Sequence, residues 1–266
     1  DVCSSDLYGR KFGTALTLDV LQPAKANGLG VIWVISGGFY SDHNGINPAY
    51  CKALLDEGYT VFAVVHGSQP RFTILEIVED MHRAVRWIRH HAGDYSVRPD
   101  RLGVFGASAG GHLSLTLGTQ GREGNPKAKD PVDRESSRVQ AVACFFPPTD
   151  FENWGAPGDT QVGIGKVGRQ FYGAFGTRSD TLESRLEYGR LISPIHSVSK
   201  DMAPTLVIHG EADGLVPIYQ AEIFEKKCRD AGATFKLVRL PGKDHGWPGM
   251  EKDLVQFADW FKTHLK

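Results

Sequence analysis

Along this chain, short apolar runs closed by glycine or proline alternate with longer stretches in which apolar residues recur every three or four positions. The short runs fit strands covered on both faces, and the longer stretches fit helices that pack one stripe inward. On this basis strands are predicted at Ala15–Val20, Val31–Ile35, Val61–Val65, Leu102–Phe105, Ala141–Phe145, Leu206–Ile208 and Phe235–Arg239. From Ile74 to His91 the apolar positions Ile74, Ile77, Val78, Met81, Val85 and Ile88 form a helical stripe, and Ile218–Ala231 and Asp253–His264 have similar spacing. Regular alternation of the two predicts an α/β fold, a mostly parallel central sheet flanked by helices.

The alternation breaks once, over residues 147–200, a Gly-rich stretch carrying Trp154, Phe171, Tyr172, Phe175 and Tyr188. Lying between two predicted strands, it reads as a lid-like insertion rather than a second domain. Within it, Gly163-Ile164-Gly165-Lys166-Val167-Gly168 matches the GxGxxG pattern. No strand precedes it and no βαβ unit encloses it, so no nucleotide site is read there. Residues 8–266 are expected to form one domain. The leading DVCSSDL reads as the translation of a sequencing adapter joined to the reading frame, or else as an ordinary disordered start, and is set aside from fold reasoning. With the natural beginning taken as missing, the sequence assigns no compartment, cytoplasmic or secreted/periplasmic.

Composition narrows the class. The 266 residues are 41% hydrophobic and 23% charged, which excludes disorder and fibrous repeats. Lys and Arg (30) balance Asp and Glu (31), so neither nucleic acid nor an anionic membrane surface is an expected partner. The longest apolar runs fall far short of the roughly 20 residues that span a bilayer. Outside the first seven residues, Cys51, Cys144 and Cys228 are too widely spaced for a disulfide framework or a zinc site and are expected to be buried thiols.

The sharpest chemical signal is Gly106-Ala107-Ser108-Ala109-Gly110-Gly111, directly after one predicted strand and before the helix-like His112–Leu117. A G-x-S-x-G between strand and helix makes a nucleophile elbow, a turn so tight that the serine is held in a strained conformation with its hydroxyl exposed. A hydroxyl needs a base to take its proton, and that base needs an acid to orient it. In this architecture both follow the serine in chain order, on loops after late strands. Asp213, in LVIHGEADGLVP, and His245, in LPGKDHGW, stand in those places. Glu211, Asp244 and Asp150 are the competing acids. An oxyanion hole combines the amide after the nucleophile, that of Ala109, with amides of an earlier loop, for which Ser36-Gly37-Gly38-Phe39-Tyr40 is the natural source.

Other histidines point elsewhere. His66 and His209 are expected to satisfy local hydrogen bonds, and the consecutive His90 and His91 face directions about 100° apart on a helix and cannot share an ion. There is no H-E-x-x-H, and neither a metal nor a cofactor is implied.

With these residues placed, the chain from about Tyr8 onward resembles the α/β-hydrolase superfamily, specifically the small esterases related to hormone-sensitive lipase and to feruloyl and acetyl-xylan esterases. The stretch EDMHRAVRWIRHHAGDYSVRPDRLGVFGASAGGH, the HGEADGLVP segment and the DHGW loop carry the resemblance. It implies Ser108 as nucleophile, Asp213 as orienting acid, His245 as general base, and Gly38, Phe39 and Ala109 as oxyanion donors. One departure stands out: the family's oxyanion loop usually begins H-G-G, whereas Ser36 holds the histidine's place here and Phe39 that of the third glycine. The implied substrate is a small-molecule ester of small to medium acyl or aromatic type, in a pocket formed partly by the 147–200 insertion with Phe39, Tyr40 and Trp154. Two other readings share the fold: an amide or peptide hydrolase of arylformamidase or prolyl oligopeptidase type, separable by comparing ester with anilide substrates, and a non-catalytic binding protein, which a fluorophosphonate probe would leave unlabelled.

Overall fold

The structure, a computed structural model, describes residues 2–266 apart from the side chains of residues 2–4 and 178. Its centre is an eight-stranded sheet: β1 (Val2–Lys11), β2 (Thr14–Leu21), β3 (Gly30–Ile35), β4 (Thr60–Val65), β5 (Leu102–Ala107), β6 (Ala141–Phe145), β7 (Thr205–Gly210) and β8 (Phe235–Leu240), in the spatial order β1-β2-β4-β3-β5-β6-β7-β8. β2 runs antiparallel to β1 and to β4, and every other pairing is parallel. All seven predicted strands are present, most of them a residue or two longer. The apolar runs read as strands because β3 to β7 lie inside the sheet: every residue of β3, β6 and β7 is buried, so both faces select apolar side chains.

One helical layer holds α1 (Lys52–Asp56) and α7 (Leu254–His264); the other holds α2 (Ile74–His91), α3 (Ala109–Thr119) and α6 (Tyr219–Ala231). Alternate strand residues supply the two cores. Trp33, Ile35 and Phe105 face Phe257 and Phe261 of α7, while Ile32, Val34 and Val104 face the α2, α3 side. The α2 stripe predicted from spacing is buried, and its N-terminus is closed by a capping box in which the Thr73 amide donates to Glu76 at 2.8 Å. The thiols of Cys51, Cys144 and Cys228 are free and buried, as expected.

Two features depart from the sequence-based picture. The first residues, set aside as a tail, run as strand β1 from Val2, with Asp1 outside the described residues. An antiparallel edge strand is held by backbone pairing and places few demands on side-chain pattern, so the segment carries no hydrophobic signature; Tyr8, whose hydroxyl donates to the Val65 carbonyl at 3.0 Å, is its buried anchor. The second is the insertion at residues 147–200. It contains α4 (Gly165–Gln170), α5 (Leu182–Ile192) and short 3₁₀ turns, and its Phe151, Trp154, Phe175 and Tyr188 are buried in the core of the α2, α3 side. The GxGxxG stretch enters α4 at its second glycine, Gly165, with no strand before it. Among the described residues no helix is long and apolar enough to cross a membrane.

Candidate active site

Ser108 occupies the turn from β5 into α3 with φ +54° and ψ −119°, a region a residue with a side chain avoids and enters at a cost of order 1–3 kcal/mol. Its neighbours show why the turn requires glycine. A Cβ on Gly106 would stand 2.6 Å from the Gly110 backbone, and one on Gly110 would stand 2.7 Å from the Val34 carbonyl oxygen. The turn is fixed by hydrogen bonds from the Ser108 amide to the Phe145 carbonyl (3.0 Å) and from the His112 amide to the Ser108 carbonyl (2.9 Å). α3 is buried along almost its whole length, and its N-terminal partial positive charge lies next to the serine.

The chain folds the expected partners onto this hydroxyl. His245 Nε2 lies 2.9 Å from Ser108 Oγ, and His245 Nδ1 lies 2.8 Å from Asp213 Oδ2. A carboxylate only accepts, so Nδ1 carries the ring hydrogen and Nε2 is left to accept from the serine. Burial alone would push the Asp213 carboxyl up, but the His209 N–H 3.4 Å away and hydrogen bonds from His245 and the Val216 amide outweigh it and hold the group well below the usual carboxylate range. The competing acids have other work. Asp244 accepts from the Gly214 and His245 amides (2.9 and 2.7 Å), tying the acid loop to the histidine loop. Asp150 accepts from the amides of Glu152 and Asn153 and from the Asn153 side chain, and Glu211 is exposed.

Residues 36–40 form a tight turn in which the amides of Gly37 and Tyr40 bond each other's carbonyls (3.0 and 2.9 Å), with Gly38 at φ +55° and Phe39 at φ +65°. Among the described hydrogen bonds, none uses the amide N–H of Gly38, Phe39 or Ala109. The Ser36 hydroxyl is buried and meets no partner among the described residues, so it does not replace an anchoring histidine. The anchor is Gln69: its side-chain amide donates to the Gly38 carbonyl (2.5 Å) and its backbone amide to the Phe39 carbonyl (3.2 Å). The Phe171 ring rests on Gly38 so closely that a Cβ there would lie 2.3 Å from it.

Two of the residues expected at the pocket, Phe39 and Trp154, are buried. Phe39 turns inward against the rings of His112 and Phe151 (centroids 5.4 and 6.5 Å). Trp154 is buried too, packed on Phe151 with its indole N–H donated to the Leu215 carbonyl at 3.2 Å. Both rings pack in the core of the α2, α3 side. A cavity of about 500 Å³ instead opens on the opposite face of the sheet, the α1, α7 side, beside Ala107, Ser36 and Gly37; Trp33, Tyr40, Tyr50 and Met250 are its large walls. Tyr40 is therefore the one predicted pocket residue that lines it. Phe146 went unnoticed in the sequence: it holds φ +35°, and its ring packs 4.3 Å from that of His245. A phenylalanine at positive φ leaves no signal in a sequence.

His66 and His209 bond the nearby carbonyls of Gly67 and Val216 (both 2.8 Å), while His90 and His91 pair separately with Glu135 and Asp94. Among the described residues one other group converges, Asp150, Glu152 and His196, and within it His196 Nε2 already pairs with Glu152 at 2.5 Å.

Known proteins place this geometry. Esterase LipQ of Mycobacterium tuberculosis is 26% identical over 220 residues, covering 82% of this chain and 50% of the relative. The probable carboxylic ester hydrolase LipM of the same organism is 28% identical over 249 residues, 90% of this chain and 55% of the relative. The chain thus spans about half the length of these curated relatives. A solved structure described as a truncated form of a carbohydrate esterase from gut microbiota superposes with a TM-score of 0.79 at 23% identity, covering 98% of this chain and 97% of the other, which identifies the α/β-hydrolase fold. The BD-FAE family profile matches residues 18–228, a span that takes in the elbow, the acid loop and the insertion, and the chain belongs to the BD-FAE family.

Proposed function

We propose that this chain is a serine hydrolase that cleaves carboxylic esters of small to medium acyl or aromatic type through an acyl-enzyme. Ser108 Oγ attacks the ester carbonyl as His245 Nε2 takes its proton, and the oxyanion is received by the amides of Gly38, Phe39 and Ala109. The imidazolium, held by ionised Asp213, then protonates the departing alcohol. A water activated by the same histidine attacks the acyl-enzyme, and the released acid frees Ser108. The observation that carries this reading is the unbroken chain of contacts Ser108–His245–Asp213, at 2.9 and 2.8 Å, on a strained elbow. The esterase names of LipQ and LipM support it. The substrate range is supported by the cavity of about 500 Å³ with its aromatic walls and no Lys or Arg in its lining.

Turnover of p-nitrophenyl acetate by wild type and Ser108→Ala is the direct test. The substitution is expected to lower kcat by about 10⁴-fold or more, and a fluorophosphonate is expected to label wild type at Ser108. Unchanged turnover in Ser108→Ala would refute the assignment.

A further inference from the structure

The loop that presents Asp213 is closed on itself in a specific way. Asp213 Oδ1 accepts the amides of Leu215 (2.9 Å) and Val216 (2.8 Å), which leaves Oδ2 for His245. The carbonyls of those same two residues are each gripped by a buried side chain. Trp154 Nε1 donates to the Leu215 carbonyl at 3.2 Å, from the 147–200 insertion, and His209 Nε2 donates to the Val216 carbonyl at 2.8 Å, from the end of β7. A carbonyl only accepts, so Nε2 of His209 carries the ring hydrogen, and that nitrogen also lies 3.4 Å from Asp213 Oδ2. The His209 side chain is fully buried, and Phe146 packs near both imidazoles, its ring centroid 6.4 Å from that of His209 and 4.3 Å from that of His245.

From this geometry we infer that His209 and Trp154 are positioning residues for the proposed hydrolytic reaction: together they clamp the Leu215 and Val216 peptide units and so set the direction in which Asp213 offers Oδ2 to His245. The inference rests on the hydrolase reading for its effect on rate, but the clamp itself concerns the acid and the histidine whether or not an ester is turned over. Removing the His209 donor lets the two peptide units rotate, and the carboxylate rotates with them. The substrate cavity has no part in this, so the effect falls on kcat and leaves KM alone.

The test compares His209→Leu, which removes the donor, with His209→Gln, whose amide nitrogen reaches a similar distance, and with Trp154→Phe, which keeps the ring packing but lacks the N–H. Each is read by kcat and KM on p-nitrophenyl acetate and by the low-field proton resonance of the Asp213-bound His245 Nδ1–H. His209→Leu is expected to lose the resonance and to lower kcat roughly 10- to 100-fold with KM little changed. His209→Gln restores most of both, and Trp154→Phe shows a smaller loss of each. Wild-type kcat and resonance in His209→Leu overturn the clamp, and so does a fall in kcat with the resonance intact. If His209→Leu does not fold, the two packing-preserving variants decide: Trp154→Phe with both wild-type kcat and wild-type resonance overturns it. Ser108→Ala separates the two readings, because full turnover there refutes the hydrolase while the resonance comparison still judges the clamp.

Discussion

Ser108 lies where two segments of contrasting construction meet. In residues 102–119, strand, turn and helix are consecutive, and the clearances that shape them are between backbone atoms: Gly106 against Gly110, Gly110 against the Val34 carbonyl. In residues 147–200, helices of 6 and 11 residues and several 3₁₀ turns are held by side chains reaching distant elements. Trp154 reaches the acid loop, Phe171 covers Gly38, and His112 of α3 bonds the Ile192 carbonyl at 2.6 Å. The contrast teaches that backbone crowding prescribes a residue type at a fixed spacing, whereas side-chain packing is met by any ring of suitable size wherever the chain brings it.

Gly106→Ala is the most damaging change, because its Cβ meets backbone with nothing to give way. Loss of about 3 kcal/mol or more of stability is expected in urea unfolding, and a soluble, fully active variant would refute the account of the elbow. Next is Gly38→Ala, strained by its positive φ and driven into the Phe171 ring. Turnover should fall about 10- to 100-fold, and adding Phe171→Ala should recover part of it; no recovery would mean that the insertion does not brace the 36–40 turn.

Three buried histidines make the fold sensitive to acid. Burial lowers His66 and His112 to about 4 and His82 to about 3, with the Arg122 and Arg86 charges adding to the effect at His82. Between about pH 6.5 and 4 the unfolded chain binds protons that the folded chain refuses, so stability falls as pH falls, by on the order of 1–2 kcal/mol per histidine at pH 5. Urea midpoints at pH 7.5 and 5 measure this. His82→Gln, on α2, should flatten the pH slope without changing kcat.

Smaller effects test the two faces. Met250→Trp narrows the cavity and should raise KM for bulky aryl esters about 10-fold relative to acetate, a difference on the order of 1.4 kcal/mol. Leu186→Ser, on the exposed side of α5, should alter stability by less than about 0.5 kcal/mol and leave that KM ratio unchanged. The opposite pattern would move the pocket to the insertion.

These contrasts explain what could be read from the sequence. The interior strands were legible because burial on both faces leaves an unbroken apolar run, and α2 because burial of one stripe imposes a helical period. Ser108, Asp213 and His245 were legible because the elbow demands glycines and the architecture fixes the order of its partners, and the structure brings the three together at hydrogen-bond distance. The burial of Trp154 was not legible, because an aromatic in an aperiodic stretch shows its size and hides its direction. The cavity was missed because Met250 joins Trp33 and Tyr50 only through the fold, and Gln69 as anchor was missed because one amide side chain far from the Gly-Gly turn has no spacing to announce it.

The cavity and most of the insertion's buried aromatics lie on opposite faces of the sheet, and this has an evolutionary consequence. Positions 40 and 250 face a void, so they can exchange size and polarity at little cost to folding, while the insertion can lengthen or shorten at its exposed turns away from Phe171 without reshaping that void. Diversification of what the chain recognises and adjustment of its robustness can therefore proceed as separate searches, and libraries confined to one face should yield variants that combine almost additively with those from the other.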